Sequence, residues 1–81
     1  MPEWTNDKGE QVELTEGELF ILNWQKAMHG HFYTLLANAL DCADMQNFAR
    51  LMEGFPVEGR AMHEWKSGDL HKRLEAKGFS L

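Results

Sequence analysis

A single cysteine, Cys42, leaves the chain without an intramolecular disulfide or a cysteine-built zinc site. Stability must then come from packing or from a partner chain, and the cysteine usage predicts a reducing, intracellular setting. Long apolar runs are also missing: Leu19 to Leu22, the longest strongly apolar stretch, is far too short to cross a bilayer. Met1-Pro2-Glu3-Trp4 lacks the basic and apolar segments of a secretory signal, so a cytoplasmic location is expected. Positive charge is scarce, with 8 basic against 13 acidic residues, and the net charge of −5 disfavours non-specific binding to nucleic acid or an anionic membrane. Internal repeats, low-complexity tracts and linkers are absent, so the 81 residues read as one helical domain whose residues 1–14 form an acidic N-terminal arm or hairpin.

The charge that is present is placed unevenly. Glu3, Asp7, Glu10, Glu13, Glu16 and Glu18 face only Lys8 in the first eighteen residues, whereas from Leu19 onward acidic and basic side chains balance, seven of each. Nine aromatics, Trp4, Trp24 and Trp65 among them, supply material for a packed core and argue against disorder.

Local patterns predict an all-α fold, a bundle of one long and three short helices with a short N-terminal β-hairpin. Trp4-Thr5 and Val12-Glu13-Leu14 flank Asn6-Asp7-Lys8-Gly9, a polar stretch whose glycine suits a hairpin turn. Thr15 and Glu18 have the spacing of a capping box, with Leu14 and Leu19 placed as a hydrophobic staple. Ile21, Trp24, Met28, Phe32, Leu35, Leu36, Ala39 and Ala43 then recur at helical spacing, predicting one long helix to about Asp41 with Gly30 as a kink or close crossing. Asp44 is placed to cap a helix burying Met45, Phe48, Ala49 and Met52, ended by Gly54. Pro56 opens another with Val57, Ala61, Met62 and Trp65 inward, and Asp69 caps a last one closed by Gly78, with Phe79 folding back on Leu74.

The segment 43–65, through Ala43-Asp44, Asn47, Leu51, Phe55-Pro56, Ala61 and Trp65, resembles small helical proteins of bacteriophage and prophage genomes. The resemblance covers about a quarter of the chain and brings no catalytic residues. It implies a protein that binds a host protein in the host-cell cytoplasm and inhibits or redirects it.

Catalytic and metal chemistry find little footing. His29 and His31 stand two apart, about 200° around a helix, and cannot share an ion, while His63 and His71 fall on different predicted helices. Cys42, among Leu40, Ala43 and Met45 with no adjacent base, reads as a buried small apolar residue. Asp41 and Asp44 read as a helix exit and a cap, and the glycines as helix punctuation and not a phosphate loop. No catalytic residue, cofactor or metal is expected. A helix-turn-helix reading around Gly54-Phe55-Pro56 would draw on Arg60, Lys66, Lys72, Arg73 and Lys77, but Glu58, Glu64, Asp69 and Glu75 interleave with them and would repel phosphates.

The expected function is therefore a small non-catalytic protein-binding module. Glu3, Asp7, Glu10, Glu13 and Glu16, with Trp4 as aromatic anchor, are the candidate contacts to a basic surface on a host protein. The competing expectation is a structural homodimer held by the long helix and the Leu19 to Leu22 girdle, and the lesser one a nucleic-acid-binding regulator.

Overall fold

The computed structural model describes residues 3–81. Glu3–Thr5 (β1) and Gln11–Glu13 (β2) pair antiparallel in the register Glu3 with Glu13, Trp4 with Val12 and Thr5 with Gln11. Five helices follow: α1 (Glu16–Gln25), α2 (His31–Cys42), α3 (Met45–Gly54), α4 (Pro56–Ser67) and α5 (Asp69–Ala76). The hairpin, the predominance of helix and most of the predicted ends are as the sequence implies. Thr15 Oγ1 accepts from the Glu18 amide at 3.1 Å while Glu18 Oε1 accepts from the Thr15 amide at 2.9 Å, completing the capping box. The Asp44 carboxylate caps α3 through the Asn47 amide at 2.8 Å, and Pro56 opens α4.

The predicted long helix is two helices. Lys26 ends α1, and Ala27 takes a left-handed conformation with φ of 55°. The Ala27 amide then donates to Trp24 O at 3.2 Å and the Met28 amide to Asn23 O at 2.8 Å, the bond pair of a Schellman motif. Gly30 sits at the N-cap of α2 in extended backbone and kinks nothing. Asp69, expected as a cap, is the first residue of α5, where its charge complements the helix dipole, and Gly68 precedes it with φ of 91°.

Helix α4 runs through the middle and packs against α1, α2, α3 and α5. The close crossing with α1 depends on Gly17: a Cβ there would meet the Ala61 Cβ at 3.0 Å. Leu14, Ile21, Leu22, Leu40, Met62, Leu70 and Leu74 are fully buried in one core. Phe20, Ile21 and Leu22 are thus consumed inside the monomer, which removes them as the girdle of a dimer. The break after α1 also changes which face of α2 is inward. Leu36, Ala37 and Leu40 are buried, while Phe32 and Leu35 of the predicted inner stripe stay 58% and 54% exposed. Met45 and Val57, assigned to inner faces by periodicity, are 91% and 42% exposed, and Cys42 is exposed and not buried.

Candidate functional site: the acidic hairpin and its anchorage

The hairpin is held by Asn6, which the turn pattern alone does not single out as a structural residue. Its side chain is 6% exposed in relative terms, and Oδ1 accepts from the amides of Lys8 at 3.0 Å and Glu10 at 2.9 Å, fixing the turn. Asn6 Nδ2 donates to Lys77 O at 2.7 Å and to Glu10 Oε1 at 3.1 Å, so one side chain ties the turn to the end of α5. The chain can receive that bond because Gly78, at φ of 95°, reverses direction after α5; a Cβ there would run into the Asn6 side chain. The Phe79 amide meanwhile donates to Leu74 O at 3.1 Å, the predicted fold-back, and Phe79 is buried.

Asp7 belongs to this anchorage too. Its amide donates to Gly78 O at 3.1 Å, and its carboxylate accepts from the Ser80 amide at 2.6 Å and lies 3.8 Å from Lys26 Nζ. The Ser80 amide, and then the Lys26 charge, hold the Asp7 carboxyl below its ordinary value despite some desolvation. Asp7 and Glu10, expected as partner contacts without a structural duty, therefore both have one.

Glu18 is the other member of the acidic head with a defined role. Its residue is 1% exposed, and Arg73 Nε at 3.1 Å and Lys77 Nζ at 2.7 Å meet its two carboxylate oxygens. Burial pushes this carboxyl up, but Lys77, the Thr15 amide and Arg73 together outweigh that and hold it below the ordinary range. Lys77 Nζ also donates to Glu13 O at 2.9 Å, and Arg73 also pairs with Glu64 at 2.9 Å. Two cations from the balanced half of the sequence thus fold back onto the acidic half.

What remains is a smaller group. Glu3 and Glu13 are cross-strand neighbours on the outer face of the hairpin, both exposed, with Glu16 exposed at the start of α1. Among the described residues none of the three carboxylates has an ion-pair partner. Trp4 does not join them. It pairs with Val12 on the opposite face, half-buried against the core, so it anchors the hairpin to the body and not a partner to the hairpin. The six candidate residues consequently divide into an outward set of Glu3, Glu13 and Glu16 and an inward or internally bonded set of Trp4, Asp7 and Glu10.

The other ionisable groups are dispersed. His29 Nε2 lies 2.7 Å from Phe20 O, and His71 stacks on Trp65 with ring centroids 5.1 Å apart and Nε2 3.2 Å from Glu75. Among the described residues, no three His, Cys, Asp or Glu side chains converge as metal ligands would. Of the five basic residues behind a helix-turn-helix reading, Lys66 pairs with Asp41 at 3.5 Å and Arg73 and Lys77 pair with Glu18, leaving Arg60 and Lys72 without an ion-pair partner among the described residues. A cleft of about 390 Å³ between α3 and α4, lined by Met45, Phe48, Met52, His63 and Lys66, carries no nucleophile-and-base pair. No described helix is long and apolar enough to cross a membrane. No family model matches the chain, and neither curated proteins nor solved structures give a match.

Proposed function

We propose that this protein is a small non-catalytic protein-binding module that docks a basic surface of another protein on the outer face of its hairpin. The observation that carries the reading is the Glu3–Glu13 pair, two exposed carboxylates directly opposite one another across the strands with no ion-pair partner among the described residues. Like charges in that position disfavour the hairpin by a few tenths of a kcal/mol, so folding gives no reason for them. Glu16, three residues beyond Glu13, adds to the same field. Clustered carboxylates on a rigid support speed encounter with a cationic partner and make association sensitive to salt. The resemblance of residues 43–65 to phage proteins extends the proposal to a host protein as partner, with inhibition or redirection as the outcome.

Replacing Glu3 and Glu13 with Lys is expected to weaken capture of the dominant host partner at least tenfold, with an unchanged far-UV circular dichroism spectrum. Wild-type capture should also fall as sodium chloride is raised from 50 to 300 mM, by roughly the factor expected for a few screened charge pairs. Capture that survives both treatments would remove the acidic face as the docking surface.

A further inference from the structure

A pocket of about 270 Å³ lies between one face of α1, the approach to α2 and the first turn of α4, away from the ties that anchor the hairpin. Glu16, Phe20 and Asn23 reach it from α1 at four- and three-residue spacing, so they share one face of that helix. Phe20, His29 and Tyr33 meet there as an aromatic cluster. Ring centroids are 5.1 Å apart for Phe20 and His29, 5.6 Å for His29 and Tyr33, and 6.3 Å for Phe20 and Tyr33. The His29 ring is placed by its Nε2, 2.7 Å from Phe20 O, and Tyr33, at 45% exposure, keeps much of its ring free for a ligand. Two carboxylates line the same pocket, the exposed Glu16 of α1 and the half-buried Glu58 of α4, and neither has an ion-pair partner among the described residues. Asn23 lines it too, and its Oδ1, shut off from solvent, has no hydrogen-bond partner among the described residues.

These features select one ligand chemistry. Aromatic rings attract a cation seated within about 6 Å of their centroids. Two unpaired carboxylates attract the same charge, and an acceptor without a donor calls for N–H groups. The starts of α1, α2 and α4 each bring about half a positive charge, which in total falls short of the two carboxylates, so the pocket stays negative. Its volume lies below the roughly 300–1,000 Å³ of sites for drug-sized ligands and suits a single side chain. We propose that the pocket seats an arginine side chain of the basic protein docked on the hairpin, with the guanidinium against Tyr33 and its N–H groups donating to Glu16 and Glu58. A planar guanidinium can lie along an aromatic ring while its edge donates to carboxylates, and it sheds water more readily than a compact ammonium. Leu19, which also lines the pocket, offers apolar contact to the methylenes behind it. Glu16 belongs both to the outward carboxylate set of the hairpin and to this pocket, so the two form one continuous surface. Naming the docked protein as the source of the arginine rests on the reading of the hairpin; the preference of the pocket for a guanidinium does not.

The pocket is tested without the partner. Nα-acetylarginine amide, titrated into isotope-labelled protein at pH 7.5, is expected to shift the ring resonances of His29 and Tyr33 saturably, while Nα-acetylcitrulline amide, its neutral isostere, leaves them in place. Replacing Glu16 and Glu58 together with Gln should raise the midpoint about tenfold or more with an unchanged circular dichroism spectrum. Absence of a saturable shift, an equal response to the citrulline probe, or an unchanged midpoint in the double variant overturns the site. Equal binding of Nα-acetyllysine amide overturns the choice of a guanidinium. Capture of the partner reads its source separately: Glu58→Gln, which leaves the hairpin untouched, should weaken capture, and full capture by that variant overturns the docked protein as the source of the arginine. A normal arginine titration in the Glu3→Lys, Glu13→Lys protein supports a pocket that stands whether or not the hairpin reading survives.

Discussion

Glu18 illustrates how a charge counted in a sequence can vanish from a surface. It closes the capping box of α1 and, at 1% exposure, receives Arg73 and Lys77 from the end of the chain. A carboxyl held below its ordinary value of 4.5 in the folded protein binds its proton less readily there than in the unfolded chain. The stability it contributes is therefore complete above that value and is lost as the pH falls through the lower folded value. Asp7, also lowered from its ordinary 3.8, acts in the same direction. Substituting Glu18→Gln should cost about 2 kcal/mol at pH 7, below the range for a fully buried pair because Arg73 and Lys77 keep partial access to water. In urea titrations the deficit relative to wild type should shrink towards pH 3; a deficit independent of pH would show that shape and not charge is what Glu18 supplies.

Among the elements, the helix ends with local chemical signatures are those the sequence announces. Thr15 with Glu18, Asp44, Pro56 and Gly78 each act within a few residues of themselves, and each does in the structure what its spacing implies. The break between α1 and α2 had no such signature. The helical spacing of apolar residues runs across it, and the residue that turns the chain is Ala27, where glycine would be usual. Left-handed backbone costs an L residue roughly 1–2 kcal/mol, which tertiary packing of α1 and α2 must offset. Trp24 contributes to that packing, donating from Nε1 to Asn38 Oδ1 of α2 at 3.0 Å. The substitution Ala27→Gly should accordingly raise stability by about 0.5–1 kcal/mol, visible as a higher midpoint in thermal or urea unfolding. A loss of stability would mean that the Ala27 side chain makes a contact worth more than the strain.

At the scale of the whole molecule, the acidic face is assembled from both ends of the chain. The sequence located the carboxylates but not their division, because Arg73, Lys77 and Ser80 reach them across more than fifty positions and leave no trace in local spacing. Trp4 was partly legible: alternation along one strand sets it on the face opposite Glu3, and a two-stranded hairpin must rest Trp4, Val12 and Leu14 on the helical body, whereas that Glu13 shares the outer face with Glu3 follows only from the register. Removing the tie, by Asn6→Ala, should quicken hydrogen exchange at the Asp7 amide, which Gly78 O accepts, while amides in the middle of α4 keep their protection. Equal acceleration in both would show that the hairpin and the helical body unfold as one unit.

The Asn6–Lys77 link also orders events in time. Closing a loop of some seventy residues is entropically unfavourable until the intervening helices are in place, so the hairpin gains its lock only after α5 has docked. During synthesis the acidic strands are made before α5 and wait for it. A chain in which α5 is undocked or cut away therefore carries the carboxylates without the tie that holds their strands in place.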